Sequence, residues 1–250
     1  MRSQTWVALN ILKKEEVFTY APRPISLTAA NSEVGKTMVY EVFIVQEGYY
    51  KELEDGCVKK NCTCALIKGK VNVIVDTLTP WDKQQILAEL KKHKLRPCDI
   101  KYVISTQPSY GFSGNNHLFR RACHIVGHAY TQRNTYLFEP FTHGNPLYID
   151  GDDLKVIPTS GCTLKDVSVL VKTVEGTVAV TGALFENKDD LKNDYETIRF
   201  CNGSFFPQLQ IHSRRLIVKL ADYIIPGYGG MFQVTEDIKN SFVDRNTSLI

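Results

Sequence analysis

Apolar and polar residues alternate along much of the chain, a spacing typical of β-strands with one buried face. The pattern predicts strands over residues 38–45, 62–67, 71–75, 100–105, 124–127, 154–157, 167–172, 177–181 and 223–225. Short turns at residues 68–70 and 174–176 predict that the strands on either side of each turn pair as hairpins. The chain is therefore expected to be rich in antiparallel sheet.

The spacing becomes helical after residue 78. Thr79, Pro80 and Asp82 form a helix-start signal, and Ile86 and Leu90 follow on one face at helical spacing. Further helices are predicted over residues 116–122, 213–222 and 235–240. Strands outnumber helices and alternate with them only in places, which favours sheets covered by helices over a regular parallel α/β sheet.

The sequence carries no Pro-, Gly- or Ser-rich linker that would divide it into two domains. Residues 1–37 are weakly periodic and include Pro22 and Pro24, so we predict a partly ordered N-terminal extension there. Residues 38–250 are expected to form one domain, since 250 residues fit within one large domain.

Composition excludes a disordered or low-complexity chain, since 43% of residues are hydrophobic and 23% are charged. The formal net charge of +3 does not by itself indicate a nucleic-acid partner. The chain has an odd number of cysteines, seven, and no run approaches the roughly 18 apolar residues of a membrane span. With no secretory signal at its start, we predict a reduced cytoplasmic or nuclear protein without a membrane partner.

Five loops at the ends of predicted strands are candidates for chemistry, because functional residues favour loops held by a rigid scaffold. They cover residues 75–77, 105–115, 158–163, 181–185 and 226–230. In order and spacing these loops resemble the signature loops of the metallo-β-lactamase superfamily, over residues 38–240. Residues 61–69, 75–82 and 166–173 resemble its glyoxalase-II-like branch most closely.

The resemblance implies an α+β fold, a four-layer αββα sandwich with a two-zinc site between the sheet edges. Within this branch it also implies an endoribonuclease that processes histone pre-mRNA. The family's metal ligands come from a Thr-His-x-His-x-Asp-His loop and from His and Asp residues of the later loops. The two metals hold a hydroxide that attacks the scissile phosphate or carbonyl.

This chain keeps the Thr of that loop, as Thr106, and departs from the family at every ligand position. The residues that stand at those positions are Gln107, Ser109, Gly111, Phe112, Cys162, Ala183 and Tyr228. Only the cysteine among them is a good zinc ligand, and a single thiolate makes no site. The surrounding turn residues fit the family, so we interpret the chain as a folded, metal-free descendant. It is expected to have no catalytic residues, no metal-binding residues and no cofactor.

Two of the replacements are aromatic rings. We expect Phe112 and Tyr228 to fill the former site, with Gly111 and Ala183 making room for them. Asp76 matches a family position that orients the first metal loop, and here it is expected to accept backbone hydrogen bonds in that loop.

Other polar and sulfur-bearing positions have structural interpretations. Cys62 and Cys64 are expected to be core thiols, and Glu186, Asp189 and Asp190 a solvated acidic loop. Three basic pairs are expected on solvated helix faces, and RNA contact is expected only if they converge on one rim. These pairs occupy residues 91–92, 120–121 and 214–215.

The leading functional hypothesis is a pseudoenzyme that binds a partner protein or a small ligand, with a homodimer as one arrangement. Two alternatives remain open. The first is a zinc-dependent endoribonuclease or hydrolase that acts on histone pre-mRNA through another site or metal, as the resemblance implies. The second is a metal-free RNA-binding protein.

Overall fold

The structure is a computed structural model and describes residues 39–137, 140–141, 143–192 and 204–244. The expected N-terminal extension lies outside the described residues. The first described strand is β1 (Glu41–Gln46), and β2 (Tyr49–Glu52) and β3 (Val58–Asn61) follow as an antiparallel hairpin.

β1 belongs to a sheet of seven strands. The other six are β4 (Cys64–Lys68), β5 (Val73–Val75), β6 (Tyr102–Ser105), β7 (Cys123–Val126), β8 (Ala129–Gln132) and β9 (Thr135–Tyr136). The order across the sheet is β1-β4-β5-β6-β7-β8-β9. β5, β6 and β7 run parallel to one another and the remaining neighbours are antiparallel. The ends of β5 and β6 therefore lie side by side at one edge of the sheet.

A second sheet of six strands follows in sequence. Its strands are β10 (Leu147–Asp150), β11 (Leu154–Pro158), β12 (Val167–Thr173), β13 (Gly176–Gly182), β14 (Tyr223–Pro226) and β15 (Phe232–Gln233), in that order across the sheet. Only the β13–β14 pair is parallel. The loops that follow β13 and β14 therefore start at the same edge.

Among the described residues, four α-helices connect or flank the strands. They are α1 (Lys83–Lys92), the single turn α2 (Tyr110–Ser113), α3 (Pro207–Leu220) and α4 (Glu236–Asp244). The start signal at Thr79 works as predicted, because a 3-10 turn at Pro80–Asp82 leads into α1 and the Thr79 backbone N–H donates to the Asp82 carboxylate.

Three hydrophobic clusters define four layers. One cluster lies between the sheets and joins side chains such as Val75 and Ile104 to Val169 and Val180. Neighbouring residues face the other way, because successive side chains of a strand point to opposite faces. On the outer face of the first sheet, Leu66, Ile74 and Val103 pack with Ile86 and Leu90 of α1.

The outer face of the second sheet is covered in the same way. Leu170, Ala179 and Ile224 pack with Ile217 and Val218 of α3. The layers are therefore helix, sheet, sheet and helix, which confirms the α+β class and the αββα sandwich.

Two helix predictions need correction. Residues 116–122 hold only a 3-10 turn at Asn116–Leu118, since the chain turns at Phe119 and enters β7 at Cys123. The helix expected from residue 213 begins six residues earlier, at Pro207, because proline suits the first position of a helix.

Candidate functional site

The candidate site begins at Asp76, the residue that follows β5. Asp76 is fully buried and has a left-handed backbone conformation, with φ of 56°. Its carboxyl oxygens accept hydrogen bonds from the backbone N–H of Thr106 at 2.8 Å and from the Thr106 hydroxyl at 2.9 Å. This pair joins the ends of β5 and β6, from which the next loop starts.

The environment of Asp76 favours the neutral acid. Burial raises the pKa of Asp76 to about 8, against the opposing effect of the two Thr106 hydrogen bonds. No ion pair within the described residues includes Asp76. The carboxyl group therefore stabilises the loop as a hydrogen-bond acceptor rather than as a partner of a cation.

Thr106 also contacts the loop that follows β13. Gly182 has φ of +53°, and a Cβ atom at this position would lie only 2.0 Å from the Thr106 hydroxyl oxygen. A side chain is excluded there by both conformation and space. The loops after β6 and β13 therefore meet at a backbone contact that only glycine allows.

The loop after β6 holds three of the seven positions at which the resemblance implies metal ligands, and it places them in different surroundings. The Gln107 side chain is buried and hydrogen-bonded to Asp166. Ser109 is exposed and precedes α2, where its carbonyl accepts a hydrogen bond from the Phe112 N–H at 3.1 Å. Gly111 is half-buried with open space around its Cα. The three positions therefore do not face one common centre through polar side chains.

Asp166 is a site residue that sequence reasoning missed. Its carboxylate accepts hydrogen bonds from the Thr163 N–H and hydroxyl, each at 2.6 Å, and from Gln107. Burial raises the pKa of Asp166 to about 6, although these bonds oppose the shift. The signal that would have found it is the Thr163-x-x-Asp166 spacing, which is typical of a side chain that closes its own turn.

The other four of these seven positions lie in one hydrophobic cluster. Phe112 is 3% exposed, and its ring meets the Tyr228 ring edge to face, with centroids 6.0 Å apart. Ala183 is buried in the same cluster, and the Cys162 thiol packs against it and donates to its carbonyl oxygen at 3.2 Å. Aromatic and aliphatic groups thus occupy this part of the site.

Neither of the two titratable groups here supplies an anion near neutral pH. Burial, with a smaller contribution from the nearby Asp166 charge, raises the pKa of the Cys162 thiol to about 12. Burial likewise raises the pKa of the Tyr228 phenol, with smaller contributions from surrounding acidic groups. Both side chains therefore remain protonated.

These residues do not fit the two zinc ions that the resemblance implies. Zinc requires imidazole, thiolate or carboxylate ligands. Gly111 and Ala183 offer no side-chain donor, Phe112 offers a hydrocarbon ring, and the Cys162 thiol is already hydrogen-bonded. Across the described ranges, no group of three or more His, Cys, Asp and Glu side chains is arranged to hold a metal ion.

The expectation of a solvated acidic loop holds for Asp189, whose side chain is 94% exposed, and is wrong for Asp190. Asp190 is 4% exposed and forms a buried ion pair with Arg214 of α3, while its carboxylate also accepts from the Glu186 N–H at 2.8 Å. Burial, with a smaller contribution from the Asp190 charge, raises the pKa of Glu186 to about 6. Arg214 is not solvated either, because it is the buried cationic partner of the Asp190 carboxylate.

Exposed aromatic rings surround the buried cluster. The Trp81 side chain is 81% exposed and the Tyr110 side chain 58%, with ring centroids 6.0 Å apart. The Tyr50 ring lies 6.2 Å from the Tyr228 ring, and the Lys60 ammonium lies 5.5 Å from the Tyr228 centroid. We call Trp81, Tyr110 and Tyr50 the aromatic rim.

Cys62 and Cys64, expected as core thiols, are buried on the outer face of the first sheet. In the part of the chain that the structure describes, no helix is long and apolar enough to cross a membrane.

The fold agrees with a comparison against known protein families. A model of the metallo-beta-lactamase superfamily matches residues 58–227, so the chain belongs to this superfamily. Metallo-beta-lactamase domain-containing protein 1 of Xenopus laevis is 34% identical over 197 residues, which cover 78% of this chain and 82% of that protein. The protein of the same name from Homo sapiens is 32% identical over 168 residues, 66% of this chain and 60% of its own length.

Solved structures show the same fold. A quorum-quenching N-acyl homoserine lactone lactonase superposes with a TM-score of 0.55 at 18% identity, over 79% of this chain and 93% of that one. A metallo-beta-lactamase of Pseudomonas aeruginosa, crystallised in a mono-zinc form, superposes with a TM-score of 0.52 at 14% identity, over 88% of this chain and 96% of that one. At these identities the likeness extends to the fold alone.

Proposed function

We propose that this chain is a catalytically degenerate member of its superfamily, a pseudoenzyme that acts by binding a partner protein. One observation carries the proposal: Phe112, Tyr228, Cys162 and Ala183 form a packed apolar cluster at positions where the family places metal ligands. Activation of water requires a metal ion, or a general base that water can reach and whose pKa lies near the working pH. The Cys162 thiol and the Tyr228 phenol, both protonated and partly buried, supply neither.

The aromatic rim supports a protein as the partner. Tryptophan and tyrosine dominate the binding energy of many protein interfaces, because they bury large areas at a low entropy cost. Trp81 is 81% exposed beside Tyr110, and such a pair on an isolated chain exposes apolar surface to water. Lys60, close to the Tyr50 and Tyr228 rings, adds a positive charge at the edge of this surface. We propose a partner with a complementary acidic margin, bound in the cytoplasm or the nucleus.

The absence of metal chemistry is tested on protein expressed with added zinc. Elemental analysis of the pure, monodisperse chain is expected to find far less than one zinc per chain. Incubation with histone pre-mRNA and with a lactone is expected to give no product that EDTA suppresses. Two zinc ions per chain together with EDTA-sensitive cleavage would overturn the proposal in favour of the zinc-dependent endoribonuclease or hydrolase.

The binding surface is tested by cross-linking in cells, with the Trp81→Ala/Tyr110→Ala variant compared with Val174→Ala. Val174 lies in the β12–β13 turn with 82% of its side chain exposed, so it controls for loss of an exposed apolar group elsewhere. Protein cross-links to the rim are expected to vanish in the double variant and persist in the control. Cross-links to RNA alone would favour the metal-free RNA-binding alternative. Cross-links to a second copy, with a dimer in light scattering, would identify the partner as the chain itself.

A further inference from the structure

A cleft of about 790 Å³ lies beside β7 and β8, and none of its lining residues belongs to the candidate site. It lies on the outer face of the first sheet, because Ile125 packs between the two sheets while its neighbours His124 and Val126 line the cleft. The full lining is Asn116, His117, Arg120, Arg121, His124, Val126, Thr131 and Arg133. We call this the arginine cleft.

The lining is strongly cationic. Arg120, Arg121 and Arg133 remain charged at any physiological pH, and none of the eight lining residues is acidic. No ion pair within the described residues includes any of the three. The three unpaired guanidinium groups together carry a charge of +3 around one concavity, which is as large as the formal net charge of the whole chain. Concave walls of one sign concentrate the field and attract counter-ions of the opposite sign.

Hydrogen bonds fix the base of the cleft. The Asn116 side chain donates to the Ser105 hydroxyl at 3.1 Å and accepts from the Thr77 hydroxyl at 2.6 Å. The Nε2 atom of His124 lies 3.0 Å from the Phe119 carbonyl oxygen. A carbonyl oxygen only accepts, so Nε2 donates to it and Nδ1 is the ring nitrogen left for a ligand. Hydrogen bonds therefore hold the Asn116 and His124 side chains in place at the base of the cleft, with the positive charges around them.

We propose that the arginine cleft binds a small molecule that carries two or more phosphate groups. One guanidinium group can donate two parallel hydrogen bonds to the oxygens of a phosphate group. Several guanidinium groups in one cleft can therefore bind several phosphate groups at once. The volume lies in the range of small-molecule sites, about 300–1,000 Å³. No Phe, Tyr or Trp lines the cleft, so it offers no stacking platform of the kind that holds single-stranded nucleic acid. The phosphate groups, rather than a base, are the recognised element.

The test is calorimetric titration of the full chain with inorganic tripolyphosphate and with orthophosphate. Tripolyphosphate is expected to bind at one site per chain and more tightly than orthophosphate, because it reaches several guanidinium groups at once. Arg120→Gln/Arg121→Gln and, separately, Arg133→Gln are expected to weaken the Kd by about tenfold or more. The control is Lys91→Gln/Lys94→Gln, which removes two exposed charges near the end of α1. It is expected to leave the Kd within about twofold.

Melting temperatures equal to wild type establish that each variant is folded, and single-arginine variants replace a double variant that fails to fold. Absence of saturable tripolyphosphate binding would overturn the proposal. An equal loss of binding in the lysine control would also overturn it, since the effect would then come from net charge. Binding of RNA oligonucleotides that is abolished by the arginine substitutions, without tripolyphosphate binding, would assign the cleft to nucleic acid instead.

Discussion

Thr106 contacts both carboxyl oxygens of Asp76, since its N–H donates to Oδ1 at 2.8 Å and its hydroxyl to Oδ2 at 2.9 Å. The same hydroxyl lies where a side chain at residue 182 would be. The loops that follow β5, β6 and β13 are thus joined through one threonine. These contacts hold the three loops together through protein atoms alone.

The Asp76 carboxyl group gives the stability of the protein a pH dependence. Its pKa is about 8 in the folded chain and about 3.9 in an unfolded chain. Between these values the folded state holds one more proton, so the free energy of unfolding falls as pH rises. The slope for one such group is up to about 1.4 kcal/mol per pH unit. Above pH 8 this contribution is lost.

The Asp76→Asn variant tests this dependence, because the amide keeps an acceptor for the Thr106 N–H and does not ionise. Denaturant unfolding between pH 6.5 and 8 avoids most of the titration of Asp166 and Glu186, whose pKa values are raised only to about 6. The variant is expected to lose less stability than wild type across this interval. Parallel curves for the two proteins would show that Asp76 does not titrate there.

Gly182→Ala is expected to destabilise the fold by about 2 kcal/mol or more, since the left-handed conformation and the contact with Thr106 both oppose a Cβ atom. Gly111→Ala is the matched control, because nothing lies within 4 Å of a Cβ atom there and the residue is helical. Alanine at residue 111 is expected to be neutral or slightly stabilising. Equal effects of the two substitutions in urea unfolding would contradict the packing described at Thr106.

Phe112→Ala is expected to cost about 3–5 kcal/mol, the range for a buried aromatic ring replaced by alanine. The Phe112 side chain is 3% exposed, whereas Phe205 is 77% exposed, so Phe205→Ala serves as a matched control with an effect within about 0.5 kcal/mol. The free energy of unfolding from denaturant titration measures both. A small loss for Phe112→Ala would mean that the ring does not stabilise the former site.

Restoring the seven ligand types tests whether only the ligands differ from the family. The variant combines Gln107→His, Ser109→His, Gly111→Asp, Phe112→His, Cys162→His, Ala183→Asp and Tyr228→His. It is expected to bind zinc and to melt at a higher temperature with zinc than with EDTA, because the metal binds only the folded state. Without zinc it is expected to be less stable than wild type, since the new carboxylates lack partners.

Elemental analysis of the folded, monodisperse revertant measures the metal directly, with wild type treated identically as the control. Hydrolysis is expected to remain weak, because substrate contacts are not restored by ligands alone. A well-folded revertant without zinc would show that the loops of this chain do not have the geometry of the family's site.

Central strands of the second sheet were predictable from the sequence. β12 and β13 are within one residue of their predicted bounds, because both alternate between the inter-sheet core and the layer beneath α3. The β2–β3 hairpin was missed for the opposite reason: seven of its eight residues are exposed, so no alternation marks it.

At the candidate site, the sequence pattern pointed to positions but could not predict their contacts. The buried pair of Asp190 and Arg214 joins residues 24 apart, and neither residue carries a local signal of burial. The partnership of Gln107 with Asp166 depends in the same way on two loops that meet only in the folded chain. The arginine cleft combines Arg133 with the pair at 120–121 because β7 and β8 form a hairpin.

The exposed indole of Trp81 makes the rim optically accessible. The chain has two tryptophans, at residues 6 and 81, so Trp6→Phe leaves a single tryptophan, Trp81, which is 81% exposed. An indole in water emits at longer wavelength than one covered by protein. The emission wavelength of this single-tryptophan chain therefore distinguishes a molecule that covers the aromatic rim from one that enters the arginine cleft. Neither molecule needs a label.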